Sequence, residues 1–267
     1  MKIFDCFTYC SEDKILKLRL EILYNKVDKF IIIEGNKFHN GEGRKKNFNI
    51  NNFKKFKKKI RYFFIKDFPK YDGNNWTYEK YQRRCISRGI QDAQPNDIIL
   101  VSDVDEIPNI KDKSIFLNDS VIFLQNFYYY KLNILCTEGL HWQGKWPGTK
   151  GIKFKFFKDA QSVRELRVKN ISKWRIDQKI KRYIVKDGGW HFSYLMSPNK
   201  IKQKLNTFAH SEFNKKKFKN LEYIKKKIHN HEDLFQREGM KFTKVDIDYT
   251  YPDEIFQNQN KYKKWII

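Results

Sequence analysis

The residues with the clearest chemical potential lie in IILVSDVDEIP, residues 98–108, where an apolar run delivers Asp103 and Asp105 at its end. Alternate residues of an extended segment point the same way, so the two carboxylates can converge on one hard divalent cation, Mn²⁺ or Mg²⁺. Ligands of open α/β sheets bind at the carboxyl ends of the strands, which is where this pair would stand. A cation held there can bridge the two phosphates of a nucleotide sugar and offset the charge of the departing diphosphate. The chemistry implied is metal-dependent glycosyl transfer. The same string also fits a phosphatase of the haloacid-dehalogenase type, with the first Asp as nucleophile and the second as acid and base. That motif normally opens its fold, however, and here about 100 residues precede it, with no later Asp-Asp pair to complete a magnesium site.

The elements that must position these carboxylates follow from periodicity. Residues 2–9 and Phe30–Ile33 read as apolar strands, Ile60–Ile65 and Ile98–Val101 as two more. Between them, Ser11 is expected to cap a helix running to about Asn25, with Ile15, Leu18 and Ile22 on one face, and a second helix spans about Trp76 to Ala93. Strands apolar on both faces, alternating with helices, imply a mainly parallel sheet covered by helices, an α/β class. Beyond residue 120, Val121–Tyr130 is β-prone and aromatic, and Gly139–Gly151 reads as a loop rich in Trp and Gly. Ile152–Phe157 and Tyr183–Val185 are β-prone. Ser197 and Pro198 then open a helix carrying Ile201, Leu205 and Phe208. The tail from about Asp246 shows no clear period.

The formal charge is +24, from 55 Lys and Arg against 31 Asp and Glu, which admits a non-enzymatic alternative, a basic nucleic-acid-binding protein. Yet Lys, Asn, Ile, Phe and Tyr are all encoded by AT-rich codons, and runs such as Lys54–Lys59, Lys215–Lys219 and Lys225–Lys227 read as solvated helix faces. No nucleic acid is therefore expected as a partner, while peripheral contact with an anionic membrane surface is compatible with the charge. Cys6, Cys10, Cys85 and Cys136 lack paired spacing, which suits reduced thiols in a cytoplasm. No apolar stretch reaches the ~20 residues of a membrane span, and Asp5 falls where a signal peptide is apolar.

Several separated blocks in one order resemble glycosyltransferase family 17, the family of the β-1,4-N-acetylglucosaminyltransferase that adds bisecting GlcNAc to N-glycans. They are KIFDCFTYCSEDKILKLRLEIL, VDKFIIIEG, WTYEKYQRRCISRGIQDAQPNDIILVSDVDEIP, FYYYKLN, GGWHFSYL and KLNTFAHSEFN, together covering roughly residues 2–237. The resemblance implies a GT-A-like, Rossmann-like fold, a UDP-sugar donor with GlcNAc favoured, a glycan acceptor, a divalent metal and inversion. It suggests a glycosyltransferase domain over residues 1–237, with a nucleotide-binding half at 1–108, an acceptor-binding half at 109–237, and a helical extension at 238–267. The eukaryotic members carry a membrane anchor, which these blocks do not include, so the chain resembles a compact, anchor-less member.

Carried over, Asp103 and Asp105 become the metal pair and His191 the third ligand, although a His beside Trp190 also suits a packed core. Glu34 would meet the base or ribose, and Arg83 or Arg84, with Arg19, the diphosphate. Inversion needs a carboxylate that takes the acceptor proton. Glu212 is favoured, with Glu138 and Glu106 as alternatives. Tyr128, Tyr129, Tyr130, Trp142 and Trp146 would suit stacking on sugars.

Overall fold

The computed structural model describes residues 1–140, 144–168, 180–207, 213 and 215–267. The strands are β1 (Ile3–Thr8), β2 (Lys29–Gly35), β3 (Ile60–Ile65), β4 (Ile98–Asp103), β5 (Glu106–Pro108), β6 (Ser120–Tyr129), β7 (Ile134–Glu138), β8 (Lys145–Lys153), β9 (Arg182–Val185), β10 (Gly189–Ser193) and β11 (Lys241–Lys244). The helices are α1 (Asp13–Leu23), α2 (Asn75–Arg84), α3 (Ala160–Arg164), α4 (Pro198–Thr207), α5 (Leu221–His229), α6 (Asp253–Phe256) and α7 (Gln259–Tyr262).

One sheet runs β11-β7-β6-β8-β4-β1-β2-β3, with β9 and β10 paired to β6 and β5 paired to β10. The β3-β2-β1-β4 half is parallel throughout, as the strand-helix alternation requires, and β9 and β10 also run parallel to β6. Strands β5, β7, β8 and β11 run antiparallel to their neighbours. The architecture is α/β and GT-A-like.

Strand alternation divides the core. Ile3 and Phe7 of β1 and Ile98 and Leu100 of β4 pack under α1 with Ile15, Leu16 and Leu20. Their neighbours Phe4, Cys6, Ile99 and Val101 face the other way, against Ile86 and Ile90 and against Ala160 and Val163 of α3. A third cluster joins Phe127 and Tyr129 of β6 to Ile201 and Leu205 of α4, Ile224 of α5 and Phe242 of β11.

Several elements differ from expectation. Ser11 sits at φ 69° and does not cap α1; Glu12 holds the N-cap position and its carboxylate accepts from the Cys10 N–H at 2.6 Å. Helix α2 stops at Arg84 and tightens into a 3₁₀ turn over Cys85–Gly89, well short of Ala93. Most of the expected Gly139–Gly151 loop is strand β8, and its glycines serve packing rather than turning. A Cβ at Gly148 would lie 1.8 Å from Gln125 Oε1, and one at Gly151 would lie 2.7 Å from the Leu100 side chain. The register shift between Ile122 and Leu124 admits Pro147 to the ladder. Only Ile152 and Lys153 of the β-prone Ile152–Phe157 are strand; Phe154–Phe156 forms a 3₁₀ turn. Helix α4 opens at Pro198 as expected, while Phe208 lies outside the described residues. The tail is more than helical: β11 joins the sheet against β7, Ile255 of α6 is fully buried in the α1 cluster, and Leu132 N–H donates to the Trp265 carbonyl at 2.7 Å.

Two tests of this packing follow. Gly189 opens β10 at φ +116°, where an added Cβ would lie 2.2 Å from the Ile107 carbonyl oxygen. Gly189→Ala should cost at least about 2 kcal/mol in urea unfolding, and an unchanged midpoint would refute the close approach. Lys150 of β8 donates to the Arg164 carbonyl, and burial first, then the Arg164 charge, push its ammonium down to about 8. Its folded value lies below the unfolded one near 10.5, so the unfolded chain binds more protons between pH 8 and 10.5 and this group adds stability as pH rises through that window. Lys150→Met should flatten that rise in denaturation midpoints measured against wild type; parallel curves would contradict it.

Candidate active site

The site is built at the carboxyl end of β4, where alternation sends successive side chains to opposite faces. Ser102 points to the α1 side and Asp103 to the α2 and α3 side. Arg19 of α1 is fully buried and forms a two-pronged pair with Asp5 of β1, at 2.8 Å from Nε and 2.6 Å from Nη2. Nη2 also donates to Ser102 Oγ at 2.6 Å, and Nη1 to the carbonyls of Asp103, Val104 and Glu106 at 3.0, 3.3 and 2.8 Å. The guanidinium thus ties down the backbone of the turn that carries both aspartates. Arg19 was expected to meet a diphosphate, but its donors are spent inside the protein, so it positions the loop instead.

Glu106 is also fully buried. It accepts from the Asp103 N–H at 3.0 Å, from Arg164 at 2.6 and 3.0 Å, and from the Trp146 indole at 2.7 Å. Both its oxygens are saturated, which removes it as an acceptor base and makes it the anchor of Arg164. Arg164, at the end of α3, then reaches Asp103 Oδ2 at 3.4 Å from one side, while Arg83 of α2 reaches Oδ1 at 3.4 Å from the other. Arg83 is held by Glu79 at 2.6 Å and by Gln161 at 2.7 Å.

Asp103 keeps 43% of its side-chain surface open. Crowding by the cleft pushes its carboxyl up, and the charges of Arg164 and then Arg83 overcome this and hold it well below the usual carboxylate range. The two guanidinium contacts at 3.4 Å exceed the 2.7–2.9 Å of tight charged bonds, so Asp103 is steered rather than locked.

Asp105 lies opposite His191, whose Nε2 is 3.6 Å from Asp105 Oδ1. Burial raises the Asp105 carboxyl and His191 more than offsets it, so the net direction is down. His191 comes from β10, which lies antiparallel to β5 and parallel to β6, with His191 opposite Glu106 and Phe127. Its ring packs between Phe127 and Trp146 at centroid separations of 4.9 and 5.2 Å, and its Nδ1 is buried without a partner. Lys204 of α4 completes the rim, 3.6 Å from Glu12; burial alone would depress its ammonium, and Glu12 and Asp105 reverse that and raise it.

Two carboxylates and an imidazole whose Nε2 faces Asp105 are a donor set suited to Mn²⁺ or Mg²⁺. They are not gathered into a preformed cage: among the described residues no three His, Cys, Asp or Glu side chains are grouped to hold a metal ion. The open Asp103 carboxylate leaves room for donors from a bound ligand to complete a coordination shell.

Other expected residues stand elsewhere. Glu34 is fully buried and saturated by Arg44 at 2.7 Å, the N–H groups of Asn47 and Phe48, and the Tyr62 hydroxyl; it fastens the 44–48 loop rather than facing a base or ribose. Arg84 turns outward, 3.8 Å from Asp159, so of the two neighbours only Arg83 meets the aspartates. Glu138 ends β7, with β6 and β8 between it and β4, and pairs with Lys241 of β11 at 2.9 Å. That separation removes it as a base for this cluster. Glu212 and Trp142 lie outside the described residues. Tyr128, Tyr129 and Tyr130 are buried in the core, which leaves no face for a sugar; among the described residues, Trp146 alone of the expected aromatics borders the site.

Arg164 and Lys204 were not singled out from the sequence. They lie 59 and 99 residues beyond Asp105, each inside a generally basic chain, and no spacing marks them. All four cysteines are unpaired thiols, and among the described residues no helix is long and apolar enough to cross a membrane.

A search of curated proteins found no match to this chain. Residues 1–122 do match the model of Glycosyltransferase family 17. The matched segment runs from β1 into β6 and contains Arg19, Arg83, Asp103 and Asp105; the later blocks of resemblance, including those of His191 and Glu212, lie beyond it. Through that segment, somewhat less than half of its length, the chain is similar to glycosyltransferase family 17.

Proposed function

We propose that the protein transfers a sugar, GlcNAc by preference, from a UDP-sugar to a hydroxyl of a glycan, with inversion at the anomeric carbon. The observation that carries this reading is the Asp103 carboxylate, open at the end of a parallel strand and flanked by Arg83 and Arg164 at 3.4 Å. Such a site answers the problem of the reaction. The acceptor oxygen bonds to the anomeric carbon, the bond from that carbon to the terminal phosphate oxygen breaks, and the diphosphate leaves with an additional negative charge. Arg83, Arg164 and Lys204 supply fixed positive charge where it develops, in a cleft partly shielded from water.

A divalent cation, Mn²⁺ or Mg²⁺, would be held by Asp103 and Asp105 with His191, and when bound it would neutralise diphosphate charge. Glu106 and Arg19 keep these side chains aimed without touching substrate. Trp146, locked by its bond to Glu106, offers a rigid wall for the transferred sugar. The acceptor proton goes to a carboxylate, for which Glu212 remains the candidate. UDP-GlcNAc is favoured on the family alone. The unpaired thiols support a cytoplasmic setting.

A thermal-shift screen of nucleotide sugars tests donor and metal together. UDP-GlcNAc with Mn²⁺ at about a hundredfold over Kd should raise Tm by about 5–10 °C. EDTA and Asp103→Asn should each remove the shift. A response only to GDP-sugars would overturn the donor, and an undiminished shift in EDTA would overturn the metal.

A further inference from the structure

The Asp103 cluster uses one face of β10. Trp190, one residue before His191, points to the other face, where it floors a cleft of about 920 Å³. Its walls come from the end of α1, the 108–111 segment after β5, the start of β8 and the tail at 249–258. None of the residues assigned above to metal, diphosphate or proton transfer lines it. We infer that this cleft binds a neutral saccharide chain.

Size is the first argument. The volume falls in the range of ~300–1,000 Å³ typical of ligand pockets, enough for two or three sugar rings. Charge is the second. In a chain of net +24, the lining balances Lys26, Lys111 and Lys145 against four acidic side chains, so the cleft is electrically even where a nucleic-acid or phosphate site would be basic. Lys145 is itself engaged with Asn126 Oδ1 at 2.6 Å and lies 3.7 Å from Asp187.

The polar groups are of the kind that hydroxyls require. Asn109 and Gln257 line the cleft and carry side-chain amides, each able to donate and accept, while their backbone N–H groups are taken by the Gly188 and Asp253 carbonyls. Aromatic surface is the third argument. Tyr249 is 84% exposed at the rim, where burial of its ring would be favourable, and sugars carry apolar C–H faces that cover such rings. The Trp190 indole donates to the Thr250 carbonyl at 3.0 Å, so the floor and the segment bearing Tyr249 are fixed to each other. A preorganised floor, an exposed ring and a charge-balanced polar lining fit an uncharged polyhydroxyl ligand better than a peptide or a polyanion.

This inference stands on the cleft itself and does not depend on the donor reading. Its test is calorimetric titration of the full chain with cellotriose, chitotriose, maltotriose and mannotriose, beside a heparin trisaccharide. At least one neutral sugar should bind. Tyr249→Ala should weaken it about tenfold, Tyr249→Phe should restore most of the affinity, and Asp103→Asn should leave it unchanged. Absence of binding to all four neutral sugars overturns the inference. So does binding indifferent to Tyr249→Ala, binding lost in Asp103→Asn, which would assign the sugar to the transfer site, or salt-sensitive binding of the heparin fragment alone.

Discussion

The buried pair of Arg19 and Asp5 is the constraint on which the rest of the site depends. Two ions in a protein interior carry a desolvation cost of several kcal/mol each, and the pair survives only where the remaining donors also find acceptors. Here they do: beyond Asp5, the guanidinium meets the Ser102 hydroxyl and three backbone carbonyls between Asp103 and Glu106. Those carbonyls belong to a turn whose polar backbone needs partners beneath α1, and that of Glu106 is also bonded by the Thr149 hydroxyl. One side chain from the first helix therefore sets the conformation of a loop more than eighty residues later. Strand alternation does the remainder, placing Ser102 towards the clamp and Asp103 towards the cleft.

Three acidic residues within four positions meet different fates for that reason. Glu106 turns inward, where Arg164, Trp146 and the Asp103 amide saturate it. Asp105, in the turn between β4 and β5, faces His191 of β10. Asp103 alone stays open, its charge sustained by two arginines that are themselves anchored by Glu106, Glu79 and Gln161. The anchors keep the arginines from collapsing fully onto Asp103, which is why a cationic wall and an anionic carboxylate coexist within reach of one ligand.

Much of this was legible in the sequence, and the limits have physical causes. The four parallel strands were visible because each is apolar on both faces, and the metal-pair candidates because they end such a run. The resemblance implied a His from a late strand near the aspartates, and His191 of β10 stands 3.6 Å from Asp105. Glu34, Arg19 and Glu106 were recognised as notable but given the wrong task, because the type of a residue does not reveal whether its partners are protein or ligand. The tyrosines at 128–130 follow the same rule, being core rather than sugar platforms. Strand β8 was hidden because Gly148 and Gly151 resemble loop residues until Gln125 and Leu100 are seen packed against them. Arg164 and Lys204 were invisible for a related reason, as nothing local distinguishes a basic residue that folds back onto Asp103 from one facing water. The tail hid its role similarly, for β11 is short and acquires its meaning only by pairing with β7.

The central claim is that the charge cluster around Asp103 performs sugar transfer. Its most direct test is the rate of UDP release from UDP-GlcNAc in Mn²⁺, measured for wild type and Asp103→Asn with folding checked by Tm. The account predicts measurable turnover in wild type and a loss of at least about a hundredfold in the variant at an unchanged Tm. Equal rates in the two proteins would contradict it.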